Sequence, residues 1–175
     1  RHRTMSKVTI DERPISAPLC ELMPLRFAVA HPGEQRQLFG ALVQRAHYLG
    51  YRGPVGENLH YLAYDRDGRV LACLLFGAAA WKMAARERFI GWEPARRERA
   101  LHLVANNMRF LVLPWVRVAH LASHILGRIA RQISTDWQAK YGHPVVLLET
   151  TVERARFAGT CYRAANWQCV GETTG

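Results

Sequence analysis

The chain has 175 residues, 49% of them apolar and 22% charged, with 24 Lys and Arg against 14 Asp and Glu and a net charge of +10. That balance fits one folded domain able to bury roughly two-thirds of its unfolded surface. It excludes a disordered chain, a low-complexity tail and a coiled coil. The longest apolar runs, Val70–Ala80 and Phe110–Val116, fall well short of the roughly 20 residues of a membrane helix.

In chain order, residues 1–31 read as an irregular N-terminal segment. Pro14, Pro18 and Pro24 break helices there, with Leu25–Ala30 as a short strand. Residues 32–175 read as a single domain. Pro32 opens a helix whose Leu38, Phe39, Leu42, Ala46 and Leu49 recur at helical spacing, and Gly50 ends it. Residues 51–58 form a loop. Leu59–Tyr64 is a strand, and Asp65-Arg-Asp-Gly68 turns it into a return strand, Arg69–Trp81. Asp-Gly between apolar runs is a strong hairpin signal. The return strand is almost wholly apolar, so both its faces are expected to be covered.

Residues 82–92 read as a polar and aromatic insertion. Pro94 starts an arginine-rich helix over Ala95–Leu103. Met108–Val116 is a strand with Pro114 near its end, where a bulge or a splaying of neighbours is expected. In the long helix that follows, Ala122, Ile125, Leu126, Ile129, Ile133 and Trp137 make one apolar stripe, and Gly142 caps it. Val145–Glu149 reads as a buried strand, Phe157–Ala165 as a short helix and Trp167–Val170 as a last strand. The order implies an α/β (α+β) domain, a mixed sheet with helices on both faces.

Nearly all the cations are arginine, the residue suited to bidentate phosphate contacts. A basic surface speeds encounter with any polyanion. Such a bias also arises from composition alone. The cysteines, Cys20, Cys73, Cys161 and Cys169, include no C-x-x-C pair. No zinc knuckle or redox motif is therefore present, and reduced thiols in a cytoplasmic protein are expected.

The segment from Phe110 to Leu126 carries the chemistry. A strand splays at Pro114 and turns into a helix whose first N–H groups have no partner within the helix. With the macrodipole they form an anion site suited to a pyrophosphate.

This segment resembles the GNAT acyltransferase signature. There a strand ends in proline, followed by two residues, Arg or Gln, two residues, Gly, one residue, and Gly or Ala. Pro114 and Arg117 match, and Ala122 takes the Gly-or-Ala place. His120 stands where the family has glycine. The resemblance implies that Arg117, Val118, Ala119, His120, Leu121 and Ala122 bind the pyrophosphate of acetyl-coenzyme A or another acyl-coenzyme A. Leu113, Trp115 and Val116 would lie along its pantetheine arm. The family also places a tyrosine on a short helix after the next strand. Here Tyr162 is followed by Arg163, with Asn166 and Trp167 in the glycine and aromatic places. Tyr162 is then the candidate general acid. Glu149, at the end of the intervening strand, is the candidate general base. The resemblance spans about Leu59–Val170. It implies a GNAT-like mixed, mostly antiparallel sheet splayed at a central strand. The final strand of that fold is missing, and the chain is expected to be truncated.

A denser resemblance covers nearly the whole chain. The runs Ala46–Arg52, Phe89–Trp92, Asn107–Trp115, Asp136-Trp137, Glu149-Thr150 and Gly159–Trp167 resemble the Druantia DruA-like family. Thr151-Val-Glu153 departs from the Phe-Val-Asp usual there. Members of that family occur near bacterial transposons and in an anti-phage system, which implies defence or transposition proteins as partners.

Each candidate has a plainer alternative. Glu149 could instead pair with Arg109 or Arg117, and Tyr162 could simply pack. His120 and His124 are four apart on a helix, but Leu121 follows the first rather than the Glu of a metalloprotease, so no metal is expected. Trp92, Arg96, Arg97, Asn107 and Arg109 are candidates for contacting substrate or nucleic acid; a solvated face or a turn would also explain them. Two functions follow. One is acyl transfer from acyl-coenzyme A to an amine. The other is a non-catalytic, basic nucleic-acid-binding component of anti-phage defence or transposition. No membrane partner is expected, and the oligomeric state is left open.

Overall fold

Alternating short strands and helices set the architecture, which a computed structural model describes for residues 8–173. The elements are β1 (Ile15–Ser16), α1 (Leu19–Leu22), β2 (Arg26–Val29), α2 (Glu34–Ala46), β3 (Asn58–Tyr64) and β4 (Val70–Ala78). Next come α3 (Ala84–Ile90), α4 (Pro94–Ala100), a 3-10 turn (Leu101–Leu103), β5 (Val104–Val112) and β6 (Val116–Arg117). The last are α5 (Leu121–Tyr141), β7 (Leu147–Thr150) and α6 (Thr160–Ala164). Five strands form one mostly antiparallel sheet in the order β2-β3-β4-β5-β7, and β1 and β6 form a separate two-stranded ladder. The chain divides into two compact units.

The first unit takes the chain up to Gly53, His60–Leu74 and Phe110–Ala119. Here β2 pairs antiparallel with β3, Phe27 opposite Ala63. Asp65 shapes the hairpin turn by accepting from the N–H groups of Asp67 and Arg69, both at 2.9 Å. Gly68, at φ 87, takes the left-handed position the turn requires. Phe39, Leu42 and Val43 of α2 are buried. The Phe39 ring meets His60 edge-on at 4.7 Å. The second unit takes Pro54–Leu59, Leu75–Arg109 and the chain from His120. Its backbone is α5, whose Leu121, Ile125, Leu126, Ile129, Ile133 and Trp137 are buried. Gly142 ends α5 at φ 79 with its N–H on the Gln138 carbonyl at 2.9 Å.

Several sequence expectations need correction. Residues 15–22, read as irregular, hold β1 and α1. Two residues suffice for β1 because Ile15 pairs in parallel with Val116, a long-range partner that local sequence cannot show. The helix from Pro32 stops at Ala46 rather than Gly50, and Leu49 is exposed. The insertion 82–92 contains α3. The strand assigned to Met108–Val116 starts earlier, at Val104, and ends before Pro114, since proline cannot donate to a ladder. The strand over Val145–Glu149 is half-buried, not buried, because β7 is the last strand in the sheet order and pairs on one side. Trp167–Val170 belong to no ladder, and without a partner strand an apolar run forms no strand.

Candidate functional site

The second unit brings β5 and β7 together in parallel, with Asn106 opposite Glu149 and Asn107 opposite Thr150. Side chains alternate across a strand. Glu149 and Asn106 therefore project from one face, Asn107 and Thr150 from the other. The registered pairing ends at Asn107 and Thr150, whereas β5 runs on to Val112.

Asn107 is 4% exposed. Its amide nitrogen donates to the carbonyls of Leu75, at 3.2 Å, and Arg109, at 3.0 Å. Both donors being spent on backbone, its Oδ1 is left as acceptor and receives the Tyr162 hydroxyl at 2.7 Å. The Tyr162 ring meets Trp167 edge-on at 5.1 Å. Asn166, at φ 66, makes the turn that returns Trp167, whose N–H donates to the Tyr162 carbonyl at 2.9 Å. Two sequence candidates, Asn107 and Tyr162, are therefore in direct contact.

Glu149 pairs with neither Arg109 nor Arg117. Its partner is Arg86 of α3, whose Nη1 donates to both carboxylate oxygens, at 2.9 and 3.2 Å. Arg86 is 2% exposed. Its Nη2 donates to the Ala80 carbonyl at 2.8 Å. Burial raises the Glu149 pKa above the ordinary carboxylate range, and Arg86 opposes that rise without cancelling it. Arg86 also stands 3.9 Å from Glu87, which binds Arg97 at 3.1 Å. The guanidinium of Arg86 lies over Trp92 and that of Arg97 over Trp81. Arg86 is the residue sequence reasoning missed. It sits on a helix too short to show periodicity in an 11-residue window.

The N-terminus of α5 is where the sequence placed the pyrophosphate candidates. His120 adopts φ 63 and ψ 8, the left-handed region that glycine enters freely and other residues seldom do. Its carbonyl accepts from the His124 N–H and the Ser123 hydroxyl, both at 3.2 Å. The side chain is exposed. The first N–H groups of α5, from Leu121, Ala122 and Ser123, are those without an intrahelical acceptor.

The remaining coenzyme candidates lie in the first unit. Leu113 is buried and donates to the Leu71 carbonyl at 3.0 Å. Trp115 accepts from Ile15 at 2.9 Å through its carbonyl. Val116 and Arg117 form β6; Val118 and Ala119 follow it. Of the other substrate candidates, Arg97 is buried and Trp92 half-buried, whereas Arg96 is exposed on α4. Arg109 donates to the Met108 carbonyl at 2.7 Å. Among the described residues no group of three or more His, Cys, Asp or Glu could hold a metal, and no helix is long and apolar enough to cross a membrane. Burial and the Arg128 and Arg131 charges lower the His124 pKa.

The fold is similar to that of aminoglycoside antibiotic 6'-N-acetyltransferase AAC(6')-Ih from Acinetobacter baumannii. The TM-score is 0.56 at 13% identity, over 86% of this chain and 95% of that one. That likeness establishes a GNAT-like fold. No curated protein matches the sequence. The family model described as Druantia protein DruA matches residues 3–175, and the chain accordingly belongs to the DruA family.

Proposed function

We propose that this chain binds an acyl-coenzyme A and transfers its acyl group to an amine. The carrying observation is His120 at φ 63. His120, which stands in the glycine place of the signature, sits in a left-handed region open to glycine, at a strain cost of about 1 kcal/mol. The residues present therefore fit the coenzyme. The N–H groups that open α5 are suited to its pyrophosphate. When bound, the coenzyme supplies an activated thioester.

The chain's own groups supply the rest. Glu149 projects from the sheet face opposite to that of Asn107, which Tyr162 meets; its part is to anchor Arg86 through both carboxylate oxygens, and the incoming ammonium loses its proton to solvent. Tyr162 holds its proton on Asn107 Oδ1 and releases it to the departing sulfur. Positioning of the amine contributes most of the rate.

The test is release of free thiol from acetyl-coenzyme A in the presence of a panel of amines, with mass detection of the acylated product. Amine-dependent thiol release that falls at least a hundredfold in Tyr162→Phe supports the reading. No release with any amine, or release unchanged in the variant, counts against it.

A further inference from the structure

We propose that the α3–α4 surface is a single-stranded nucleic-acid platform, on which a base stacks on Trp81 while Lys82, Arg88, Arg96 and Arg99 meet the phosphates. The inference does not depend on coenzyme binding or acyl transfer. It starts from the state of one ring. The Trp81 side chain is exposed, 53% of its surface facing solvent. One face of its indole is covered by the Arg97 guanidinium, 5.0 Å from the ring centroid. More than half of the residue's surface is thus left to solvent despite that cover.

The covering group is fixed. Arg97 is 8% exposed and its Nη1 is held by Glu87 at 3.1 Å. The Trp81 carbonyl receives Arg86 Nη2 at 3.4 Å. Arg86 is itself anchored on Glu149. An exposed tryptophan with one face stacked on a buried, ion-paired arginine has already lost the freedom that stacking would cost it. Stacking on an aromatic face is tolerant of sequence because every base offers a π-face.

Charge supplies the second observation. Residues 81–100 carry the cations Lys82, Arg86, Arg88, Arg96, Arg97 and Arg99 against Glu87, Glu93 and Glu98. Arg86 and Arg97 are consumed in buried pairs with Glu149 and Glu87. Lys82, Arg88, Arg96 and Arg99 remain exposed, beside the exposed acids Glu93 and Glu98. The chain as a whole is at +10. Phe89, 51% exposed on α3, offers a second ring on the same segment. An exposed aromatic on a segment that also exposes four cations suits a strand whose bases are unpaired. A duplex keeps its bases stacked and offers the ring nothing.

The test is fluorescence anisotropy with a labelled 15-nucleotide oligo-dT, for the parent, Trp81→Ala, Trp81→Phe and the double variant Arg96→Gln/Arg99→Gln. Each is measured at several salt concentrations. The parent is expected to bind, with affinity falling steeply with salt. Trp81→Ala should weaken binding roughly tenfold or more, and Trp81→Phe should restore most of it. The double charge variant should weaken binding and flatten the salt slope. Equal Tm values for parent and variants exclude unfolding as the cause. The proposal is overturned by an oligonucleotide that fails to bind at low salt. Equal affinity of parent and Trp81→Ala also overturns it. So does duplex DNA, or a vesicle of phosphatidylglycerol, that binds as well as the single strand and is equally insensitive to Trp81→Ala.

Discussion

Tyr162 donates a hydrogen bond from its hydroxyl to the Oδ1 of Asn107, 2.7 Å away, and that oxygen faces it because the two N–H groups of the same amide are committed to backbone carbonyls. The orientation of the amide is thereby fixed by β4 and β5, and the tyrosine of α6 is aimed by the sheet. Removing either partner strands buried polar groups. Asn107→Ala leaves the Leu75 and Arg109 carbonyls and the tyrosine hydroxyl without this partner, and should cost about 1–3 kcal/mol. Tyr162→Phe loses one bond and should cost about 1 kcal/mol. On the proposed reading Tyr162→Phe should also lower kcat by about 10²- to 10⁴-fold. Denaturant melts give the first pair of values and thiol release the last.

Arg86 and Glu149 should respond to mutation as a unit. Arg86→Met leaves a buried carboxylate without its cation and is expected to cost about 3–5 kcal/mol near neutral pH. The double variant Arg86→Met/Glu149→Leu should recover much of that loss, since it removes both charges. Chemical denaturation of the four members of this cycle checks the coupling.

The Glu149 carboxyl titrates higher when folded than when unfolded because burial disfavours its charge. Between those two values the folded chain holds more protons than the unfolded one. Its contribution to stability is therefore fully present below the unfolded value and is lost as pH rises through the folded value. The difference in Tm between parent and Glu149→Gln should move against the parent as pH rises from about 4 to 7. A difference flat across that range contradicts the assignment.

The α5 stripe gives a direct core test. Ile129 and Ile133 are 0% and 1% exposed. Each replaced by alanine should cost about 2–5 kcal/mol, read as a lower denaturation midpoint at unchanged slope. Ala130→Ser, on the exposed side of α5, should change stability by less than about 0.5 kcal/mol.

Long-period patterns were legible in the sequence and short or partner-dependent elements were not. The buried face of α5 followed from Ile125, Leu126, Ile129, Ile133 and Trp137 because a 21-residue helix repeats its signal many times. The Asp65–Gly68 turn followed from chemistry confined to adjacent residues. In contrast α3 spans 7 residues, too few for a period, and it carried off the partner of Glu149. The candidacy of Tyr162 came from a resemblance, but its acceptor, Asn107, lies in contact only through the tertiary fold. β1 exists because Val116 is there to pair with it.

The most direct measurement is calorimetric titration of acetyl-coenzyme A into the parent chain, His120→Gly and His120→Val. A left-handed residue tolerates glycine freely and a β-branched side chain poorly. The expected result is micromolar binding by the parent, equal or tighter binding by His120→Gly, and binding at least tenfold weaker by His120→Val. Absence of binding in both parent and His120→Gly, or equal binding by all three, would contradict coenzyme recognition at the start of α5.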